Sequence, residues 1–421
     1  MSLADTVRSD VNPRSFPKIT DEGLVVLRRR IGANISESVE PWSYEATRDN
    51  IRHFAHGIRD DSPLYCDPAC ARGSPFGGVI APPSFPFACN RFINGYCGGL
   101  PGVHAMWAGA EWTWHKSIRR NDVVRAEAYL KGPVEHQTRF AGRVIQQIYH
   151  VDLCNQTDDR LAEAESSVFR TKRDAARESG SKYSAGRRTG TRICTDAELS
   201  EIYSCCAKTQ VRGPATRYFE DGEIVDEIST IVRGPKTVTG FIAYAQGWGA
   251  LYVRANKLQW KLIEKQSGTG IKNRFGIPNC LERVHREEAF DHEVGASSAD
   301  EYGPARTSWM IHHLTNWASD DDFVRASKTH VRRHNPEGDV LYITWNVTGK
   351  EIVHNAPAVF DKENIFGVST ITTSLIMIVI VRIGGVDNVQ GKLAHDDCIH
   401  LRAGCISDFG GDPYGARRCV G

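Results

Sequence analysis

In Arg48–Ile58 the apolar residues fall at Ile51, Phe54, Ala55 and Ile58, spacings of three and four that predict a helix with one buried face. A Pro/Gly-rich loop follows, with Pro63, Pro75, Gly77-Gly78 and Pro82-Pro83, and then an apolar, helix-like stretch at Ser84–Ile93. From His104 the texture changes to alternation. Ala110–His115, Val123–Lys131, Thr138–Asn155 and Asp159–Arg170 place β-forming apolar residues at every second position and predict four strands. Upstream, an arm and a helix near Asp21–Ile31 occupy residues 1–40. Downstream, Thr171–Thr191 is rich in Lys, Arg, Ser and Gly without apolar period and reads as a linker, running into a short helix near Asp196–Tyr203.

The pattern then repeats. Thr47–Gly57 lines up with Thr237–Gly247. Tyr65 is followed eighteen residues later by Pro83, as His285 is by Gly303, and an apolar helix-like stretch comes next in each copy, Ser84–Ile93 and Arg306–Trp317. Both copies continue through a basic turn into a strand, at Ile118-Arg119-Arg120 and Val331-Arg332-Arg333. The same order twice argues for an internal duplication. Each copy is an α+β unit, an antiparallel sheet folded round one helix. The second carries an insertion at about Leu251–Cys280, read as a basic helix and loop. The expected organisation is an arm (1–40), a first unit (41–171), a linker (172–215), a second unit (216–353) and an atypical C-terminal tail (354–421).

Composition narrows the function. At 421 residues the chain suits two or three domains. Fifty-two Lys+Arg against fifty-one Asp+Glu leave a net charge of +1, which offers no field for nucleic acid or an acidic membrane. Leu375–Val381 is apolar throughout but far short of the ~20 residues that span a bilayer. The twelve Cys contain no CxxC, so neither a zinc ribbon nor a dithiol redox site is indicated, and they read mostly as free thiols in a reducing compartment. With no secretory signal at the N-terminus, the expected location is cytoplasmic. His53 and His56 lack further ligands at metal-binding spacing, so no metal is expected. His312 and His313 are adjacent and point to different sides of a helix, which gives no shared site. Trp112 and Trp114 share one strand face and suit core packing, or the lining of an acyl tunnel.

The stretch Phe54–Pro83, FAHGIRDDSPLYCDPACARGSPFGGVIAPP, resembles the MaoC-like dehydratases, hotdog-fold (R)-specific enoyl-CoA hydratases, and in particular the subgroup with an N-terminal domain like fungal fatty-acid-synthase dehydratase. Glu282–His285 and Glu301–Trp309, with Leu314–Trp317, are similar to the second half of that subgroup, and the resemblance covers roughly residues 40–353. It implies a double hotdog, two antiparallel sheets each wrapped round a central helix, with the second copy incomplete if the tail adds no strands. It also implies addition or removal of water across the C2–C3 bond of an enoyl thioester, with no cofactor beyond the coenzyme A of the substrate. The implied partners are a small acyl thioester and a second copy or hotdog partner subunit, without nucleic acid or membrane.

That resemblance implies an Asp and a His five residues apart holding one water, and the sequence departs from this in both halves. In the first, Asp60 matches the Asp but Tyr65 occupies the His position. In the second, His285 matches the His but Cys280 occupies the Asp position, and Glu282 is the nearest carboxylate. Three readings stay open: His285 as base with Glu282 or Glu287, Asp60 as base with Tyr65 as acid, or a non-catalytic acyl-binding subunit. A dehydratase or cyclase of secondary metabolism, acting on a free substrate, is a further alternative. Paired hotdog halves keep their sites apart, so a joint Asp60–His285 site is not expected. Gly77, Gly78 and Gly303 are the implied places where backbone meets the thioester. Arg306, Arg332-Arg333 and the basic insertion could meet coenzyme A phosphates or simply face solvent.

Overall fold

The computed structural model describes residues 17–138, 141–172, 193–216, 227–265, 270–288, 290, 299–320, 322–331, 335–353, 374–382 and 396–407. Residues 173–192 of the linker and the Arg332-Arg333 pair lie outside them. The helices are α1 (Asp21–Arg28), α2 (Arg48–Gly57), α3 (Pro63–Cys66), α4 (Pro68–Arg72), α5 (Pro86–Cys89), α6 (Asp196–Ala207), α7 (Val238–Trp248), α8 (Asn256–Lys265) and α9 (Gly303–Trp317). Strands β1 (His104–Trp114), β2 (Arg125–Thr138), β3 (Gly142–Cys154) and β4 (Arg160–Thr171) belong to the first half. The second half holds β5 (Glu227–Arg233), β8 (Asp322–Val331), β9 (Leu341–Val353), β10 (Ser374–Arg382) and β11 (Asp396–Ser407). The insertion forms α8 and a small ladder of β6 (Ile271–Lys272) with β7 (Pro278–Asn279).

One antiparallel sheet runs through both halves in the order β2-β3-β4-β1-β8-β10-β11-β9-β5. The seam is β1 against β8, from Gly109↔His330 to Thr113↔Ala326. Gly109 has φ +138°, and a Cβ there would lie 1.8 Å from the Thr329 carbonyl oxygen, so only glycine lets the strands close.

The duplication appears as a mirrored pair of helices. Thr47 caps α2 by accepting from the Asn50 N–H, and Thr237 caps α7 by accepting from the Gly240 N–H. The aligned glycines are the crossing point. A Cβ on Gly57 would lie 3.2 Å from the Ala243 oxygen, and one on Gly247 would lie 3.0 Å from the His53 oxygen. Each copy thus offers the other the same bare patch of backbone, the self-complementary contact of a two-fold pair.

Two expectations change. The helix at Ser84–Ile93 shrinks to the single turn of α5, although the stretch is buried. Pro82, Pro83 and Pro86 withhold backbone donors and fix φ, and Asn90 takes over, its Oδ1 accepting from Phe92 N (2.8 Å) and Ile93 N (3.3 Å). Only the second copy therefore has a long central helix, α9, almost entirely buried. The second correction concerns the tail. Residues 374–382 and 396–407 are strands of the main sheet, so the second half extends past 353 and is not short of strands. The apolar run Leu375–Val381 lies within β10, as a strand between two others allows. Their order is new: β8-β10-β11-β9, where repeating the first half's β1-β4-β3-β2 would give β8-β11-β10-β9.

No helix among the described residues is long and apolar enough to cross a membrane. Among the described residues, Cys66, Cys70, Cys89, Cys97, Cys154, Cys194, Cys205, Cys206 and Cys280 are free thiols.

Candidate active site

The turn after α2 places Asp60. Arg59 takes φ +63°, and the Asp60 N–H returns to the Ala55 oxygen (2.8 Å). The Asp60 Oδ1 then accepts from Ser62 N (3.0 Å), while Pro63 starts α3. The side chain ends up buried, with Oδ1 3.5 Å from Nε2 of His312 on α9. Nδ1 of His312 lies 2.8 Å from the guanidinium of Arg233 at the end of β5, and Nε2 lies 3.0 Å from the Asn316 amide. An arginine only donates, so Nδ1 accepts and Nε2 carries the proton. Amide oxygen and nitrogen are assigned from the network, and this tautomer turns the Asn316 oxygen toward Nε2.

Electrostatics follow from burial. Burial pushes the Asp60 carboxyl up to about 7, against the pull of the Ser62 N–H and the Arg233 charge. His312 is held well below its ordinary range by burial, then by Arg233 and His313, and is neutral at pH 7. Oδ2 of Asp60 has no hydrogen-bond partner. Such a group costs about 1–3 kcal/mol, a cost typical of sites kept for chemistry. Tyr65 is buried beside Asp60 and hydrogen-bonds the Thr315 side chain; burial, then Asp60, raise its hydroxyl well above its ordinary range. That keeps it a donor and opposes its loss of a proton.

An open pocket of about 660 Å³, counting the part open to solvent, lies beside this cluster. Ser62, Tyr65 and Thr315 line it, while Asp60 lies behind them and is not part of the wall, and Phe76, Ile80 and Trp114 make the lining partly apolar. Trp112 and Trp114 stack with ring centroids 5.3 Å apart, and both are buried. Thus Trp114 both packs and lines.

The second half's residues gather elsewhere. Nδ1 of His285 donates to the Asp300 carbonyl (2.6 Å), its ring lies 3.7 Å from that of Tyr302, and burial lowers its pKa to about 4. Glu282 is buried and accepts from Tyr252 N and from Tyr302 Oη (3.0 Å). Burial raises its carboxyl. Glu287 pairs with Arg283 at 3.3 Å. Tyr302 touches both Glu282 and His285. At the start of α9, Gly303 is used for packing, since a Cβ would lie 2.5 Å from the Trp107 ring. Arg306 is buried within α9. A Cβ at Gly77 or Gly78 would meet nothing within 4 Å.

Sequence reasoning missed His312 and Arg233. It also missed the buried Lys236–Glu301 pair (3.8 Å), whose ammonium sits 3.3 Å from the Trp309 ring centroid. The available signal was the polar series His312 and Asn316, one turn apart on an otherwise buried helix. His150, Asp152 and Glu163 are close enough to share a metal ion, but Arg160 already bonds both carboxylates, at 2.6 and 2.8 Å. These residues suit an ion-pair network better than a metal centre.

Comparison with known proteins agrees with this architecture. Residues 32–164 match the family model described as FAS1-like, dehydratase domain region. A UPF0336 protein of Thermobifida fusca (strain YX) is 54% identical over 46 residues, 11% of this chain and 30% of that protein. A UPF0336 protein of Saccharopolyspora erythraea is 31% identical over 93 residues, 21% of this chain and 60% of that protein. The chain thus spans 30% to 60% of the length of these curated relatives. A solved MaoC-like dehydratase superposes with a TM-score of 0.52 at 16% identity, covering 89% of this chain and 98% of that one. The fold is an α+β double hotdog, similar to that of the solved MaoC-like dehydratase. Within it, residues 32–164 are the part similar to the FAS1-like dehydratase domain region.

Proposed function

We propose that the protein is a hydro-lyase that adds water to, or removes it from, the C2–C3 bond of an acyl thioester, with Asp60 as the proton-transfer group. The observation that carries this reading is a buried carboxyl with one unpartnered oxygen, titrating near neutrality beside a pocket. A group with its pKa near the working pH exchanges protons in both directions. In hydration Asp60 takes a proton from water as the hydroxyl joins C3. The electron pair of the double bond moves toward the thioester oxygen, and the same proton returns to C2. Gly77 and Gly78 remain candidates for backbone contact with the thioester, and the apolar wall of the pocket suits a short acyl chain.

Asp60 is favoured over His285 because the Glu282 carboxylate is already bonded by Tyr252 and Tyr302, Glu287 pairs with Arg283, and the Asp300 carboxylate accepts from the Asn335 N–H. Crotonyl-CoA hydration, followed by loss of enone absorbance, is the test. Turnover is expected, and Asp60→Asn should lower kcat by about 10²–10⁴-fold. Activity that survives Asp60→Asn but not His285→Ala moves the site to the second half. Saturable binding of crotonyl-CoA without turnover makes the protein an acyl-binding subunit.

A further inference from the structure

Asp60 and the groups that face it come from opposite halves of the chain. Asp60 follows α2 in the first, whereas Arg233 ends β5 and His312 lies in the middle of α9 in the second. Every titratable or charged group set against this carboxyl has a readable effect. Arg233 favours its ionised form, Asp61 opposes it, and Tyr65 and Cys66 are themselves made harder to ionise by Asp60. His312 in turn faces Arg233, His313 and the Asn316 amide.

The donors are unevenly shared between the two oxygens. The Ser62 N–H points at Oδ1, and Nε2 of His312 lies 3.5 Å from the same atom. Oδ2 has no such partner. Arg233 fixes the tautomer by occupying Nδ1, so the imidazole proton sits on Nε2, between the Asn316 oxygen at 3.0 Å and Asp60 Oδ1 at 3.5 Å. A contact of 3.5 Å is long for a hydrogen bond, and contacts of this kind tighten when substrate fills the site.

We propose that His312 is a positioning residue for Asp60, reaching across from the other half. Its Nε2–H is shared between the Asn316 oxygen and Oδ1 and turns to Oδ1 when that carboxylate is charged, so that Oδ2 is left as the oxygen that gives and takes the proton. The first half has Tyr65 where the resemblance implies histidine, and the imidazole is supplied instead by the central helix of the second half. The site is therefore a joint product of both copies. This rests on the reading of Asp60 as the proton-transfer group.

The test uses the full chain and two readouts. Carboxyl ¹³C NMR of Asp-labelled protein follows the Asp60 titration without substrate, and the pH profile of kcat/KM for crotonyl-CoA follows it in turnover. His312→Leu removes a donor to the carboxylate. The Asp60 transition is expected to rise by about one pH unit, with the acidic limb of the profile moving alongside. His312→Gln, which returns an N–H near the place of Nε2, is expected to bring both back toward the wild-type positions. His312→Met serves in place of the leucine variant if that one does not fold. An Asp60 transition unmoved in the leucine or methionine variant overturns the proposal. A transition that moves in a protein that does not hydrate crotonyl-CoA sustains the positioning role and removes the hydro-lyase reading. Turnover with an unmoved transition does the reverse.

Discussion

Asp60 is held in a state that opposes stability. Its carboxyl titrates at about 7 in the fold against 3.8 as the ordinary value, so the folded protein keeps a proton that the unfolded chain releases. The stabilising effect of that proton is fully present below about pH 4 and is lost as pH rises through 7. Asp60→Asn, which cannot ionise, should therefore gain stability over the wild type as pH rises from 5 to 8. Over that range the gain is at most about 3 kcal/mol, at ~1.4 kcal/mol per pH unit between pH 5 and 7. Thermal unfolding of both proteins across that range is the measurement, and a pH-independent difference would contradict the burial argument. A variant that is more stable and less active is the expected signature of a site kept for chemistry. The sequence pointed to Asp60 and Tyr65 because their spacing belongs to one local loop. It did not point to His312 or Arg233, which meet Asp60 only after the two halves pack, from positions 173 and 252 residues further along the chain. Adjacent histidines on a helix look uninformative until it is known which helix face is buried against what.

Among the elements, α2 was legible because apolar spacing, an N-cap threonine and a terminal glycine all agreed. The helix at Ser84–Ile93 was not, because burial gives an apolar stretch whether the backbone coils or turns, and the prolines outweighed the apolar pattern. The aligned glycines offer a direct check on the paired helices. Gly247→Ala puts a Cβ 3.0 Å from the His53 oxygen and 3.1 Å from the Phe54 Cα, both backbone atoms that cannot swing aside. The helices must separate, at a cost of about 1–3 kcal/mol in a well-packed contact. Gly132→Ala, where a Cβ meets nothing within 4 Å, should change stability by less than about 0.5 kcal/mol. Urea unfolding of the two variants reads the difference, and equal stabilities would remove the close crossing of α2 and α7.

For the whole molecule the seam decides whether there is one cooperative unit or two. The ladder that joins the halves through β1 and β8 is short, and Gly109 lies at one end of it. In Gly109→Ala the added carbon would sit 1.8 Å from the Thr329 oxygen, so β1 and β8 must part. The expected loss exceeds about 4 kcal/mol, the range reserved for strain at a special backbone position. Calorimetry should then show two transitions in place of one, and a single unshifted transition would mean that the halves are held together without the seam. The duplication and the α+β class were readable from the order of elements. The seam was not, because it pairs segments more than 200 residues apart.

The same seam has a consequence for how the chain is made. Strands β1 to β4 pair among themselves through contacts inside residues 104–171, so this sheet can form as soon as β4 leaves the ribosome. The partner of its open border, β8, arrives about 150 residues later. At ~5–20 residues per second the growing chain carries a bare strand for roughly 8–30 seconds. Throughout that interval the hydrogen-bonding groups of Gly109–Thr113 are available to any passing nascent strand, including the same segment on a neighbouring ribosome of the same message. Translation speed past β4 thus becomes part of what determines how much of this protein is recovered in the native form.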